Sequence, residues 1–198
     1  MQAQGGTRDQ FLEAATQLFA ERGFYGVSLA NIADQLGLTK QALIHHFGTK
    51  EKLYGHVLAQ ISDRFLGAVH TAQQAPLNPE QRVHAFFAGF YAHSMDNPED
   101  TRLILRELLD NRQRAEQASV WYLKPFLQTL IRMVQATARH RHSSDAQALA
   151  VAYQALGAIC FFVISETTLT RMFGEKTFDE VLNAFPPELD RLVRQLIA

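Results

Sequence analysis

One cysteine, Cys160, in 198 residues leaves no internal partner for a disulfide, which excludes a stapled secreted scaffold and points to the reducing cytoplasm. The opening MQAQGGTRDQ is polar and lacks the basic-then-apolar order of a signal peptide. Long apolar runs are also scarce. The most apolar stretch, LAVAYQALGAICFFVI from Leu149 to Ile164, is 16 residues long and is interrupted by Tyr153 and Gln154. That falls short of the roughly 20 residues a spanning helix needs, so a buried helix is expected there and no membrane. Charge of one sign is missing as well. Nineteen Lys and Arg face twenty Asp and Glu, and residues 1–60 hold five of each sign, so no bulk field draws nucleic acid. Any contact with DNA has to rest on where the charges stand.

Signatures of catalysis are missing too. The chain has no G-x-S-x-G elbow, no Gly-rich phosphate loop, no dinucleotide fingerprint and no H-E-x-x-H. Glu107, Glu166 and the histidines lack the Glu-x-x-His spacing of a helical-bundle metal enzyme. No enzyme, cofactor or metal site is expected; a helical-bundle enzyme using these scattered residues is the alternative with less support.

What is present is helical periodicity on a chain that is 47% hydrophobic, ample for a core. Thr7-Arg8-Asp9-Gln10 reads as a capping box ahead of Phe11, Ala15, Leu18 and Phe19, an amphipathic helix that Gly23 stops. Ser28 can cap a second helix carrying Leu29, Ile32, Ala33 and Leu36. Gly37 then reverses the chain and Thr39 caps a third helix running to about Phe47, so the pair forms a helix-turn-helix. Leu43 and Phe47, one turn apart, supply the buried side. Lys40, Gln41, Ile44 and His45 form the opposite stripe, suited to a major groove by hydrogen bonding and by apolar contact with a thymine methyl. His45 and His46 are adjacent, about 100° apart on a helix, so they do not share one metal ion as an i, i+4 pair can.

These residues carry a resemblance. From Thr7 to Leu53, with AATQLFAERGFYGVSLANIADQLGLTKQALIHHFGTKEKL, the chain resembles the DNA-binding half of TetR-family transcriptional repressors. The order is specific: an "A..LF...G" first helix, "G...S...IA...G" into the second, and "L..HF..K..L" across the third. The resemblance covers about the first quarter of the chain. It implies an all-α fold, in which residues 1–48 are a three-helix DNA-binding domain and 49–198 a larger effector-binding and dimerisation domain. It implies a homodimer that binds a double-stranded operator and is released by a small-molecule effector. The alternative to such a ligand-responsive DNA binder is a ligand-independent one. Base contacts are implied for Lys40, Gln41 and His45, and phosphate contacts for Ser28, Thr39, His46 and Lys50. One position departs: Ile44 stands where members commonly carry tyrosine, so a phosphate-binding hydroxyl is replaced by an apolar group.

The rest of the chain is less explicit. Thr49 can cap a long helix that ends before the Pro76–Pro79 loop, with helices at about 79–96, 98–110, 118–140 and 145–173. Thr177-Phe178-Asp179-Glu180 reads as a further capping box, and Pro186-Pro187 as a break before a last helix. Phe86, Phe90, Trp121, Phe126 and Tyr153 are candidate effector-binding residues, with His84 and His93 as polar additions and Pro125 disturbing its helix. Ordinary core packing explains the same aromatics. Arg139-His140-Arg141-His142 reads as a solvated basic loop. Leu189, Leu192, Val193, Leu196 and Ile197 form an apolar stripe for either a dimer interface or an intrachain core.

Overall fold

The structure is a computed structural model that describes residues 6–109 and 122–198. The described residues are helical, with no strand among them. The elements are α1 (Thr7–Arg22), α2 (Leu29–Gln35), α3 (Lys40–Phe47), α4 (Lys50–Gln74), α5 (Pro79–Asp96), α6 (Pro98–Leu109), α7 (Lys124–Gln135), α8 (Asp145–Phe173) and α9 (Glu175–Ile197).

Two compact units emerge. One takes the described residues up to Ile61 together with those from Glu99 to Leu109 and Tyr122; the other takes Ser62–Pro98 and Leu123–Ala198. Helix α4 contributes its first three turns to one and the remainder to the other. This is a grouping by packing, and differs in kind from a division by role at residue 48.

In the first unit, Phe11, Phe19, Ile32, Leu43, Leu53 and Tyr54 are almost wholly buried and pin α1, α2, α3 and the start of α4 together. The second unit is built round Phe65, Phe86, Phe90 and Phe126, whose rings meet at centroid distances of 5.0 to 6.3 Å. Its other wall is α8 against α7 and α9.

Several ends differ from the sequence reading. Helix α1 starts at Thr7 itself, with Gly6 as N-cap and no side-chain cap, so the Thr7 box does not form. The Thr177 box fails likewise, because α9 has already started at Glu175 behind Gly174. Pro125 disturbs nothing, since it lies in the first turn of α7, where a missing N–H has no intrahelical partner to lose. Pro186-Pro187 lies inside α9 and does not break it. Both prolines are exposed, so water can reach the carbonyls they leave without donors, while Phe178, Leu189, Val193 and Ile197 hold the helix on one buried side across the interruption.

The terminal stripe is an intrachain core: Leu189, Val193 and Ile197 are buried in the chain's own second unit, with Leu192 and Leu196 half-buried. The Arg139–His142 run is only partly solvated. Arg139 Nη1 donates to the Gln195 and Ala198 carbonyls at 3.0 and 2.8 Å, and His140, nearly buried, places Nε2 2.7 Å from the Leu196 carbonyl. A carbonyl only accepts, so that nitrogen carries the proton, and Nδ1 faces the Ser143 hydroxyl at 3.2 Å. Cations and donors at the negative end of α9 satisfy carbonyls the helix cannot. Arg141 and His142 remain exposed.

Helix α8 spans the 145–173 segment expected from the sequence, extends beyond its 16-residue apolar run at both ends, and by length and composition could cross a bilayer. Here Ala148, Ala152, Ala155, Leu156 and Ile159 are covered by the protein itself. Cys160 lies on this helix, and burial pushes its thiol up to about 11, which makes it unreactive.

Candidate nucleic-acid interface

The short helices α2 and α3 are each held by a side chain rather than by length. Ser28 Oγ accepts from the Asn31 N–H at 3.1 Å while Asn31 Oδ1 accepts from the Ser28 N–H at 3.0 Å, a reciprocal box. Thr39 Oγ1 accepts from the Ala42 N–H at 3.1 Å and caps α3, and Thr49 Oγ1 does the same for α4 through the Lys52 N–H at 3.3 Å. Between α2 and α3 the Leu38 and Gly37 amides reach back to the Ala33 and Asp34 carbonyls at 3.0 and 3.1 Å. This Schellman turn requires a positive φ at its middle residue, and Gly37 supplies 66°. The angle between the two helices is thereby set by local chemistry.

Helix α3 buries Leu43 and Phe47 and exposes Lys40, Gln41, Ile44, His45 and His46. Ile44, 40% exposed, is a large apolar side chain left open in the middle of that polar stripe, as a thymine-methyl contact would need. The histidines part company: His46 lies 5.9 Å from the Phe11 ring, on the α1 side, and its ring stands at 83° to that of His45. Arg8, which the sequence reading passed over, places its guanidinium 5.1 Å from the Phe47 ring centre. Its position at the start of α1, one residue from Thr7, gives no local sign that it would stack there.

Lys50 is half-buried with Nζ 4.3 Å from the centre of the Phe24 ring. Desolvation lowers its pKa, with neighbouring Glu51 opposing. Charge is segregated across this unit. Residues 36–50 contain no Asp or Glu, whereas Glu13, Glu21 and Asp34 line two open polar grooves of about 310 and 380 Å³ along α1 and α2. A net-neutral region therefore carries its turn and recognition helix on a segment without carboxylates, which resume at Glu51.

The other candidates divide. Phe86, Phe90 and Phe126 come together with Phe65 in the second unit, 3% exposed or less. Tyr153 is 45% exposed on α8, apart from a buried role, and Trp121 lies outside the described residues. His84 pairs with Asp190 at 2.9 Å, and His93 stands beside Asn97 and the edge of Phe65. Sequence reading missed Ser94, fully buried four residues after Phe90, whose hydroxyl has no hydrogen-bond partner among the described residues. The i, i+4 spacing from Phe90 was its only signal. Glu107 is no stray carboxylate: it accepts from the Tyr54 hydroxyl at 2.7 Å.

Residues 11–57 match the model of the bacterial regulatory proteins of the tetR family. The chain is 31% identical to the HTH-type transcriptional activator FasR of Mycolicibacterium smegmatis over 57% of its own length and 52% of that protein. It is 26% identical to the HTH-type transcriptional repressor NicS of Pseudomonas putida over 79% of this chain and 74% of that one. It spans about half the length, or less, of the first curated relatives it matches. Among solved structures, a fatty acid degradation regulator, FadR, from Bacillus halodurans superposes with a TM-score of 0.73 at 14% identity, over 100% of this chain and 97% of that one, a likeness of fold alone.

Proposed function

The chain belongs to the TetR family of bacterial regulatory proteins, and from that premise we propose that it works in the cytoplasm as a homodimeric repressor, released from a palindromic operator by a small-molecule effector. One observation carries the DNA reading: the side-chain-capped α3 presents Lys40, Gln41, Ile44 and His45 outward from a segment free of acidic residues. Lys40, Gln41 and His45 read base edges, Ile44 touches a thymine methyl or sugar, and Ser28, Thr39, His46 and Lys50 hold phosphates. For Lys50, that requires the ammonium to leave the Phe24 ring. Residues 1–48 form the reading head and 49–198 the effector and dimer part.

An operator half-site of a few base pairs is too short for specificity, so two copies have to read together. The surface that best suits the second copy is the outer side of α8, where Ala146, Ala150, Tyr153, Gly157 and Phe161 fall on one exposed face. Phe161 is 73% exposed, a large apolar group that the described residues leave mostly uncovered.

For the effector, the supporting features are the phenylalanine cluster of Phe86 and Phe90 on α5 with Phe126 on α7, and the Ser94 hydroxyl of α5, which has no hydrogen-bond partner among the described residues. Trp121 is retained as a member on the sequence argument alone, and Tyr153 is better assigned to the dimer face. An effector of this site is apolar with one hydrogen-bonding group, and it acts only if it favours a conformation whose reading heads no longer fit the operator.

The test is selection of duplexes from a random-sequence pool, then titration of the recovered duplex with wild-type and Gln41→Ala protein. The expected result is a near-palindromic site, with Gln41→Ala relaxing preference at one position per half-site and losing roughly 1–3 kcal/mol. Recovery of no common sequence sinks the reading. If apolar ligands never change affinity for that duplex, the protein is a ligand-independent DNA binder.

A further inference from the structure

Two adjacent residues of α6 grip two different helices of the unit that carries α3. Arg106 Nε donates to the Ala20 carbonyl and Nη2 to the Glu21 carbonyl, both at 2.8 Å. These carbonyls belong to the last turn of α1, where the helix has no further amides to offer, so the guanidinium fork supplies the missing donors and a positive charge at the negative end of the helix. Glu107 Oε2 accepts from the Tyr54 hydroxyl of α4 at 2.7 Å. Tyr54 is 1% exposed, with its ring edge-on to Phe19 of α1 at 4.9 Å. The partners lie 86, 85 and 53 positions apart in the chain.

Helix α3 sits on the two helices so gripped. Its Phe47 ring meets Phe11 of α1 at 6.4 Å and His56 of α4 at 5.6 Å. Neither Arg106 nor Glu107 is on the reading face. We propose that Arg106 and Glu107 are positioning residues for DNA reading, a clasp that sets α1 against α4 and so fixes the seat of α3. Reading base edges demands that the recognition helix be held to a fraction of an ångström, whereas sequence-independent phosphate attraction tolerates a looser seat. The clasp therefore governs selectivity more than overall attraction.

This proposal rests on the DNA reading of α3, and the experiment separates the two. Wild-type protein, Arg106→Ala, Arg106→Lys, Tyr54→Phe and Glu107→Gln are titrated against the duplex that wild type selects and against a scrambled duplex of equal length. Amide hydrogen exchange is followed on each protein without DNA. Arg106→Ala and Tyr54→Phe should lose tenfold or more on the selected duplex, stay within twofold on the scrambled one and keep the wild-type salt slope. Glu107→Gln, which keeps an acceptor for Tyr54, should stay near wild type. Exchange in Arg106→Ala should quicken in the last turn of α1 and across residues 40–47. Should Arg106→Ala fail to fold, Arg106→Lys, which keeps the charge and loses the fork, gives the same comparison. Equal losses on both duplexes, or quickened exchange confined to α6, overturns the clasp. If wild type selects no duplex, the DNA reading fails, and the exchange pattern alone decides the clasp.

Discussion

Lys50 and Gln41 show how differently exposed polar side chains on one short segment can act. Gln41 is exposed on α3, and its proposed role is to pair its amide with adenine, so its loss should be felt at one base pair. Lys50 rests on an aromatic ring, and the role proposed for it on DNA is a phosphate charge. Lys50→Ala should weaken binding to all duplexes alike and reduce the salt slope by about one, as read from titrations between low and moderate salt. A loss at one base position only would refute the phosphate role. Glu80 offers a separate test away from the DNA. Its carboxylate accepts the Ala138 N–H at 2.8 Å, and that hydrogen bond holds its pKa below the usual value. A depressed folded-state pKa means that the stabilisation is present above the ordinary carboxylate range and is lost as pH falls through the lowered value. The melting difference between wild type and Glu80→Ala should therefore be greatest near neutrality and shrink in acid; a difference independent of pH would count against it.

At the scale of elements, what decides a helix here is which side it buries. Helix α9 carries two consecutive prolines and stays continuous because its apolar residues keep one register before and after them. Each interior proline costs about 3 kcal/mol against alanine, offset by up to about 1 kcal/mol from the stiffer unfolded chain. Pro187→Ala should accordingly raise stability by roughly 2 kcal/mol in chemical denaturation. A lower midpoint would show that the proline serves a shape that α9 needs. Helices α2 and α3, of seven and eight residues, are too short to persist alone and depend on Ser28, Thr39 and the Gly37 turn. Those caps were legible, since an N-cap is a property of four consecutive residues. The failures at Thr7 and Thr177 share a cause: a glycine upstream, Gly6 or Gly174, takes the N-cap position and leaves the threonine inside the helix.

For the whole molecule, the proposed dimer raises the question of which surface meets a second copy. The terminal leucine stripe is occupied within the chain, whereas the face of α8 bearing Gly157 and Phe161 is open. Gly157→Arg with Phe161→Glu should give a helical monomer by sedimentation and circular dichroism, with selective DNA binding lost. Leu189→Arg, placing a charge at a buried position, should instead unfold the second unit. A double variant that remains dimeric would move the interface elsewhere. In the dimer the two α3 helices should lie about 34 Å apart, or a multiple of it, and the spacing of selected half-sites measures that directly.

The sequence by itself determined what depends on neighbours along the chain: the all-helical periodicity, the caps at Ser28, Thr39 and Thr49, the glycine at the turn, and the stripe of Lys40, Gln41, Ile44 and His45. These follow from 3.6-residue periodicity and from side chains that reach only three or four residues away. Only the tertiary structure decided which of two equally apolar stripes is core and which is surface, because burial depends on what a distant segment brings to that face. It also decided the partners of charged side chains: Arg106 on the end of α1, Glu107 on Tyr54, and Arg139 with His140 on the end of α9. A helix terminus advertises unsatisfied carbonyls without naming the residue that will satisfy them, and that residue came from more than fifty positions away.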